Sequence, residues 1–77
     1  MNKLPRITGR QVVSALQKLG FKLQRIQGSH HFLYHAEKDV TVSVPVHVGK
    51  TIAPKTLSNI LKIAKVSRED FIKALKE

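Results

Sequence analysis

Val40-Thr41-Val42-Ser43-Val44-Pro45-Val46-His47 carries the clearest period-two alternation in this 77-residue chain. Side chains along an extended strand point alternately to its two faces. One face of this segment is therefore all valine, and the other is polar or proline. That is the signature of a strand with one side on a core. Pro45 has no N–H for a ladder hydrogen bond, so it belongs at a sheet edge or near the strand end.

Upstream, Glu37-Lys38-Asp39 makes a tight polar turn. His30 to Ala36 suits a second strand, with Phe32 and Tyr34 on one face. Gly28-Ser29 is a turn, and Phe21 to Gln27 alternates imperfectly as a first strand. Three strands joined by two short turns give an antiparallel meander.

Helices flank this meander. Thr8-Gly9-Arg10-Gln11 reads as a capping box. Val12, Val13, Ala15, Leu16 and Leu19 follow at helical spacing, and Gly20 supplies the stop, so a helix spans about Gly9 to Leu19. Val48 to Ala53 is a loop. Pro54 suits a first helical turn, and Leu57, Ile60, Leu61 and Ala64 form an apolar stripe behind it. Ser67 caps a last short helix with Phe71, Ile72 and Leu75 facing inward. The predicted fold is α+β over a single domain, residues 1–77. Its α-β-β-β-α order is that of double-stranded-RNA-binding domains, with a short extra C-terminal helix. The two main helices cover one face of the three-stranded antiparallel sheet and leave the other open.

Fourteen Lys and Arg against five Asp and Glu give a net charge of +9. Such an excess attracts polyanions: nucleic acid first, then an acidic protein, then an anionic membrane surface. There is no cysteine, which excludes disulfides, thiolate nucleophiles and zinc knuckles. No stretch has the length of a signal peptide or a membrane span, so a cytoplasmic protein is expected. No glycine-rich phosphate loop and no paired carboxylates occur, so no small-molecule cofactor is expected.

The chemistry-bearing residues are four histidines: His30, His31, His35 and His47. If the aromatic Phe32 and Tyr34 turn to the core, strand parity puts His30 with them and places His31 and His35 on the open face. Three readings of His31 compete on the residues alone. It is a general acid–base, a metal ligand with His35 and His47, or an ordinary surface histidine. No carboxylate accompanies the histidines at a spacing that favours a metal. Lys50 and Lys55 stand at the entrance to the second long helix, where a backbone phosphate can meet an N-terminus. Lys18, Lys62, Lys65, Lys73 and Lys76 read as solvent faces of amphipathic helices.

The chain resembles the HicA family of toxin ribonucleases, also described as YcfA-like proteins. Leu4-Pro5-Arg6-Ile7-Thr8-Gly9 is similar to the family's opening, and Gly28-Ser29-His30-His31-Phe32 to its glycine-serine-x-histidine motif. Val44-Pro45-Val46-His47, Pro54-Lys55-Thr56-Leu57 through Ile60-Leu61, and Ser67 to Phe71 are similar to its later segments. The resemblance implies a metal-independent endoribonuclease that cleaves mRNA, and a HicB antitoxin that blocks it. It implies that His31 is the catalytic histidine. Arg6, Lys22, Ser29, His30, His47, Lys50 and Lys55 are the expected RNA-binding residues. The competing classes are a noncatalytic RNA-binding module and an interaction protein whose basic face meets an acidic partner.

Overall fold

The computed structural model describes residues 4–77. Its elements are α1 (Gly9–Lys18), β1 (Lys22–Gln27), β2 (His30–His35), β3 (Val40–Pro45), α2 (Pro54–Ala64) and α3 (Arg68–Lys76). The sheet is antiparallel in the order β1-β2-β3, so β1 and β3 are its edges and Pro45 closes an edge strand. Fold class and element order are those expected from the sequence.

Local chemistry fixes each boundary. The α1 capping box is complete. Gln11 N–H donates to Thr8 Oγ1 at 3.2 Å, and Thr8 N–H donates to Gln11 Oε1 at 2.9 Å. Gly20 leaves the helix with φ +100°, a conformation that a side chain disfavours. Gly28 has φ +60° at the first position of the two-residue β1–β2 turn, as a type II′ hairpin requires. Pro54 opens α2, and Ser67 Oγ accepts from Asp70 N–H at 3.1 Å to cap α3.

The β2–β3 pairing sets the core. His35 faces Val40, Leu33 faces Val42 and His31 faces Val44. Leu33, Val42 and Val44 are all buried, with Leu16, Phe21, Leu57 and Phe71 among their largest partners. The helices pack over β3 and leave β1 largely uncovered, since Leu23 and Ile26 stay 39% and 57% exposed. In α3 the buried residues are Phe71 and Ala74; Leu75 is half-buried against the core, and Ile72 is not part of it. The expected inward set was therefore right at Phe71, half right at Leu75 and wrong at Ile72. The small Ala74 takes the inner position because α3 lies close against α1.

Two lysines tie the helices down through carbonyls. Lys38, in the β2–β3 turn, donates to Ala64 O (3.3 Å) and Lys65 O (2.7 Å) at the end of α2. Lys18 donates to Ala74 O (3.3 Å) and to Glu77 O at the end of α3. A cation at a helix C-terminus complements the partial negative charge there.

Gly9 has the closest surroundings of the four glycines. A Cβ built on it would lie 2.3 Å from Pro45 O and 2.9 Å from Val46 Cα, both backbone atoms. Alanine ordinarily stabilises a helical site by up to about 1 kcal/mol over glycine. Here Gly9→Ala is expected to destabilise by about 1–3 kcal/mol, because α1 must move off β3; a thermal melt against the parent checks the sign.

Asp39 closes the β2–β3 turn at φ +52°, and its Oδ1 accepts from Tyr34 Oη at 3.0 Å. That hydrogen bond, then the Asp39 charge, then slight burial hold the Tyr34 phenol above the usual value of about 10. The interaction is intact below that value and is lost as pH rises through the raised one. Asp39→Asn keeps a residue that tolerates the turn. It is expected to return the phenolate absorbance titration of Tyr34, the sole tyrosine, toward 10.

Candidate active site

The β2 parity reverses one expectation. Leu33, not Phe32 or Tyr34, is the buried β2 residue, and Leu33 shares its face with His31 and His35. His31 and His35 therefore point toward the helical side, while His30, Phe32 and Tyr34 occupy the open face. The aromatics were expected inside because of their size. The pairing decides otherwise: the buried Val42 and Val44 sit opposite Leu33 and His31.

His31 lies on this side between Ile26 of β1 and Val44 of β3. Because the helices leave β1 uncovered, it is half-buried rather than enclosed. Among the described residues, its Nδ1 is the enclosed side-chain polar atom that lacks a hydrogen-bond partner. Nε2 is not enclosed in this way. A buried polar atom left unpaired costs about 1–3 kcal/mol. No protein group offsets that cost at His31 Nδ1.

His35 is on the same face but serves a different end of the molecule. It stands four residues away, about 13 Å along an extended strand. Its Nδ1 accepts from Lys38 N–H at 3.2 Å, and its ring meets Phe21 edge-on with centroids 5.0 Å apart. The ring also lies against Gly20, where an added Cβ would come within 2.9 Å of Nε2. These contacts make it a packing residue of the α1–β1 connection. His30 faces the other way, with Nδ1 3.2 Å from Ser43 Oγ.

The end of the sheet nearest His31 collects several of the expected binding residues. The ladder continues past β3 through Val46 N–H, which donates to Ser29 O at 2.7 Å. The N-terminal segment joins the loop before α2 through a Thr8–Thr51 bridge, with Ile52 N–H donating to Ile7 O at 2.7 Å. These pairings bring Arg6, His47, Lys50 and Lys55 toward one end. His47 lines two clefts there. One, of about 230 Å³, also includes Lys50, Thr51 and Thr56. The other, of about 270 Å³, includes Thr8, Arg10 and Gly49. The α2 N-terminus borders the first, and its N-cap, Ala53, has no side-chain hydrogen bond, so the first backbone N–H groups are not capped.

Lys22 does not join this cluster. It pairs with Tyr34, near the β2–β3 turn and far from Ser29 along the sheet. Arg10 and Arg25 were not among the expected binding residues. Arg10 lines the second His47 cleft, and Arg25 lies over Phe32 with its guanidinium carbon 4.5 Å from the ring centroid. The Arg25–Phe32 pairing follows once the β1–β2 register is known, including its irregularity at Gln24 between Leu23 and Arg25. Among the described residues no group of three or more His, Asp or Glu side chains comes together, and no helix is long and apolar enough to cross a membrane.

The arrangement sets the half-buried His31 at the same end of the sheet as two clefts lined by the exposed His47, with Lys50 in one and Arg10 in the other. Comparison with known proteins gives a family for it. The model of the HicA toxin of bacterial toxin–antitoxin systems matches residues 9–66, from the start of α1 to just past the end of α2. No individual curated protein matches the chain. The matched span covers the sheet, His31, the first His47 cleft and all of the second but Thr8, and by it the chain belongs to the HicA toxin family of bacterial toxin–antitoxin systems.

Proposed function

We propose that this toxin is a metal-independent endoribonuclease acting on mRNA in the cytoplasm, with His31 as its general acid–base. The observation that carries the reading is the half-buried His31 ring, which retains an enclosed Nδ1 with no protein group to pair with it. Such a cost is characteristic of functional positions. Imidazole is also the side chain that gains and loses a proton near neutral pH.

The reaction is transesterification within the substrate. His31 Nε2 takes the proton of a ribose 2′-OH, and that oxygen bonds to the adjacent phosphorus. The bond from phosphorus to the 5′ oxygen breaks, and the leaving oxygen takes up a proton from the imidazolium or from water. The products are a 2′,3′-cyclic phosphate and a 5′-hydroxyl end. Arg6, Ser29, His47, Lys50 and Lys55 hold the phosphate backbone at the uncapped α2 N-terminus. His30 and Lys22 extend the contact to the open face. One acid–base group contributes roughly 10²–10⁴-fold, so slow turnover is expected, enough to lower message levels. With a net charge of +9, the chain also suits a blocking antitoxin of the HicB type that presents acid to the same clefts.

His31→Ala is expected to lower RNA cleavage by the purified chain roughly 10²–10⁴-fold while RNA binding persists. Equal degradation by parent and variant overturns the assignment. His31→Leu separates chemistry from packing: cleavage is lost, yet the thermal midpoint stays level or rises, by about 1 kcal/mol of stability, as the unpaired nitrogen goes. A marked fall in the midpoint instead makes His31 a structural residue.

Binding of RNA should weaken linearly on a log–log plot against salt, with one unit of slope for roughly each phosphate contact. Lys50→Ala and Lys55→Ala should each reduce that slope by about one. A flat slope in the parent identifies the basic surface as a protein-binding one.

A further inference from the structure

The sheet face turned away from the helices has a composition unlike the rest of the molecule. Lys22 and Arg25 of β1 stand opposite Tyr34 and Phe32 of β2. The Arg25 guanidinium lies on the Phe32 ring, 4.5 Å from its centroid. The His30 and Phe32 centroids are 6.5 Å apart, with the rings inclined at 36°. Ser43 of β3 pairs with Phe32 in the ladder, and its Oγ steadies the His30 ring at 3.2 Å. Tyr34 is steadied by Asp39 at 3.0 Å. Successive rings on one strand thus present fixed π-surfaces under a cation, with both outer rings hydrogen-bonded in place.

The aliphatic side chains of these strands are on the other side: Leu23, Ile26, Leu33, Val40, Val42 and Val44. A protein partner is usually met by an apolar core with a polar rim, and this face has no aliphatic centre. Aromatic rings interleaved with Arg and Lys instead match nucleobases on a phosphate chain, because every base has a π-face and the guanidinium plane can stack as well.

We propose that the open face is a stacking platform for single-stranded RNA, with bases laid on His30 and on the Arg25 guanidinium that Phe32 backs, and phosphates drawn by Lys22. The proposal rests on the reading of RNA as the substrate. It adds a second contact surface, across the sheet from His31 Nε2. A strand held on this face reaches His31 only by rounding the β1 edge or the Gly28–Ser29 turn. Flexible single strands make that bend, whereas a stiff duplex does not. The message is thereby gripped away from the reacting phosphate, and unpaired stretches are selected for cleavage.

The chain has one tyrosine and no tryptophan, so its intrinsic emission reports on this face alone. The probe is a 2′-O-methyl oligouridine, which lacks the attacking hydroxyl and is not cleaved. It is expected to quench Tyr34 saturably, whereas inorganic polyphosphate, with charge but no bases, leaves the emission unchanged. With an end-labelled probe, Phe32→Ala and Phe32→Leu are expected to weaken binding about tenfold or more, and Phe32→Trp to retain it. Phe32→Leu keeps an apolar side chain on the strand, so its loss of affinity reports the ring rather than folding. Arg25→Ala provides a second variant off that ring and should both weaken binding and lower the salt slope by about one. Parental affinity in the Phe32 and Arg25 variants, with cleavage still lost in His31→Ala, overturns the platform and leaves the nuclease reading standing. A parent that binds no oligonucleotide overturns both. Unchanged RNA affinity with lost capture of a co-expressed antitoxin makes the face a protein dock and overturns the platform.

Discussion

The pairing of β2 with β3 is the constraint on which the rest depends. A four-residue turn, closed by Asp39 N–H donating to Ala36 O at 3.2 Å, sets His35 opposite Val40. From that point every β2 residue is assigned a face. Leu33 joins Val42 and Val44 in the core, His31 lies at the uncovered margin of the helical side, and the aromatics are turned outward. A one-residue slip would exchange the two sets entirely. It would bury His30, Phe32 and Tyr34, and with them two polar ring atoms now satisfied by Ser43 and Asp39. Register, fold and candidate chemistry are therefore one choice rather than three.

Charge imposes the second constraint. With nine more cations than anions, most basic residues cannot find a carboxylate, and the fold uses helix C-termini as substitutes. Lys38 and Lys18 each meet two carbonyl oxygens, at the ends of α2 and α3. The Lys38 contact also links the β2–β3 turn to α2, so the element that fixes register is tied to the helix over β3. Cations used this way lie at helix C-termini. Those around His47 and on β1 remain outward, where a polyanion can meet them.

Much of this was legible in the sequence because it is encoded locally. The Thr8–Gln11 box, the Gly20 stop, the Gly28 turn, Pro54 and the Ser67 cap each depend on residues within a few positions, and each appears where expected. The faces of β2 were misread because size was weighed above pairing. The needed signal was present: Val40, Val42 and Val44 mark the inner side of β3, and a turn spanning Ala36 to Asp39 carries that side onto Leu33. In α3 the same preference for bulk chose Ile72 over Ala74, where close approach to α1 admits only the smaller residue. The gathering of Arg6 with His47 and Lys50 had no local signal at all, since it follows from a long-range bridge between Thr8 and Thr51.

The reversal of parity strengthens the case for His31 rather than weakening it. A histidine on a solvated face costs almost nothing to keep, so its presence there would say little. At its actual position, Nδ1 is removed from water without a partner, beside Val44 in the buried set and Ile26 in the exposed one. The first neighbour belongs to the core. The second is left uncovered by the helices. The ring is thus half-buried, with Nδ1 enclosed. The proposed proton transfer asks for such a placement, because a group oriented by folding need not be ordered when substrate arrives.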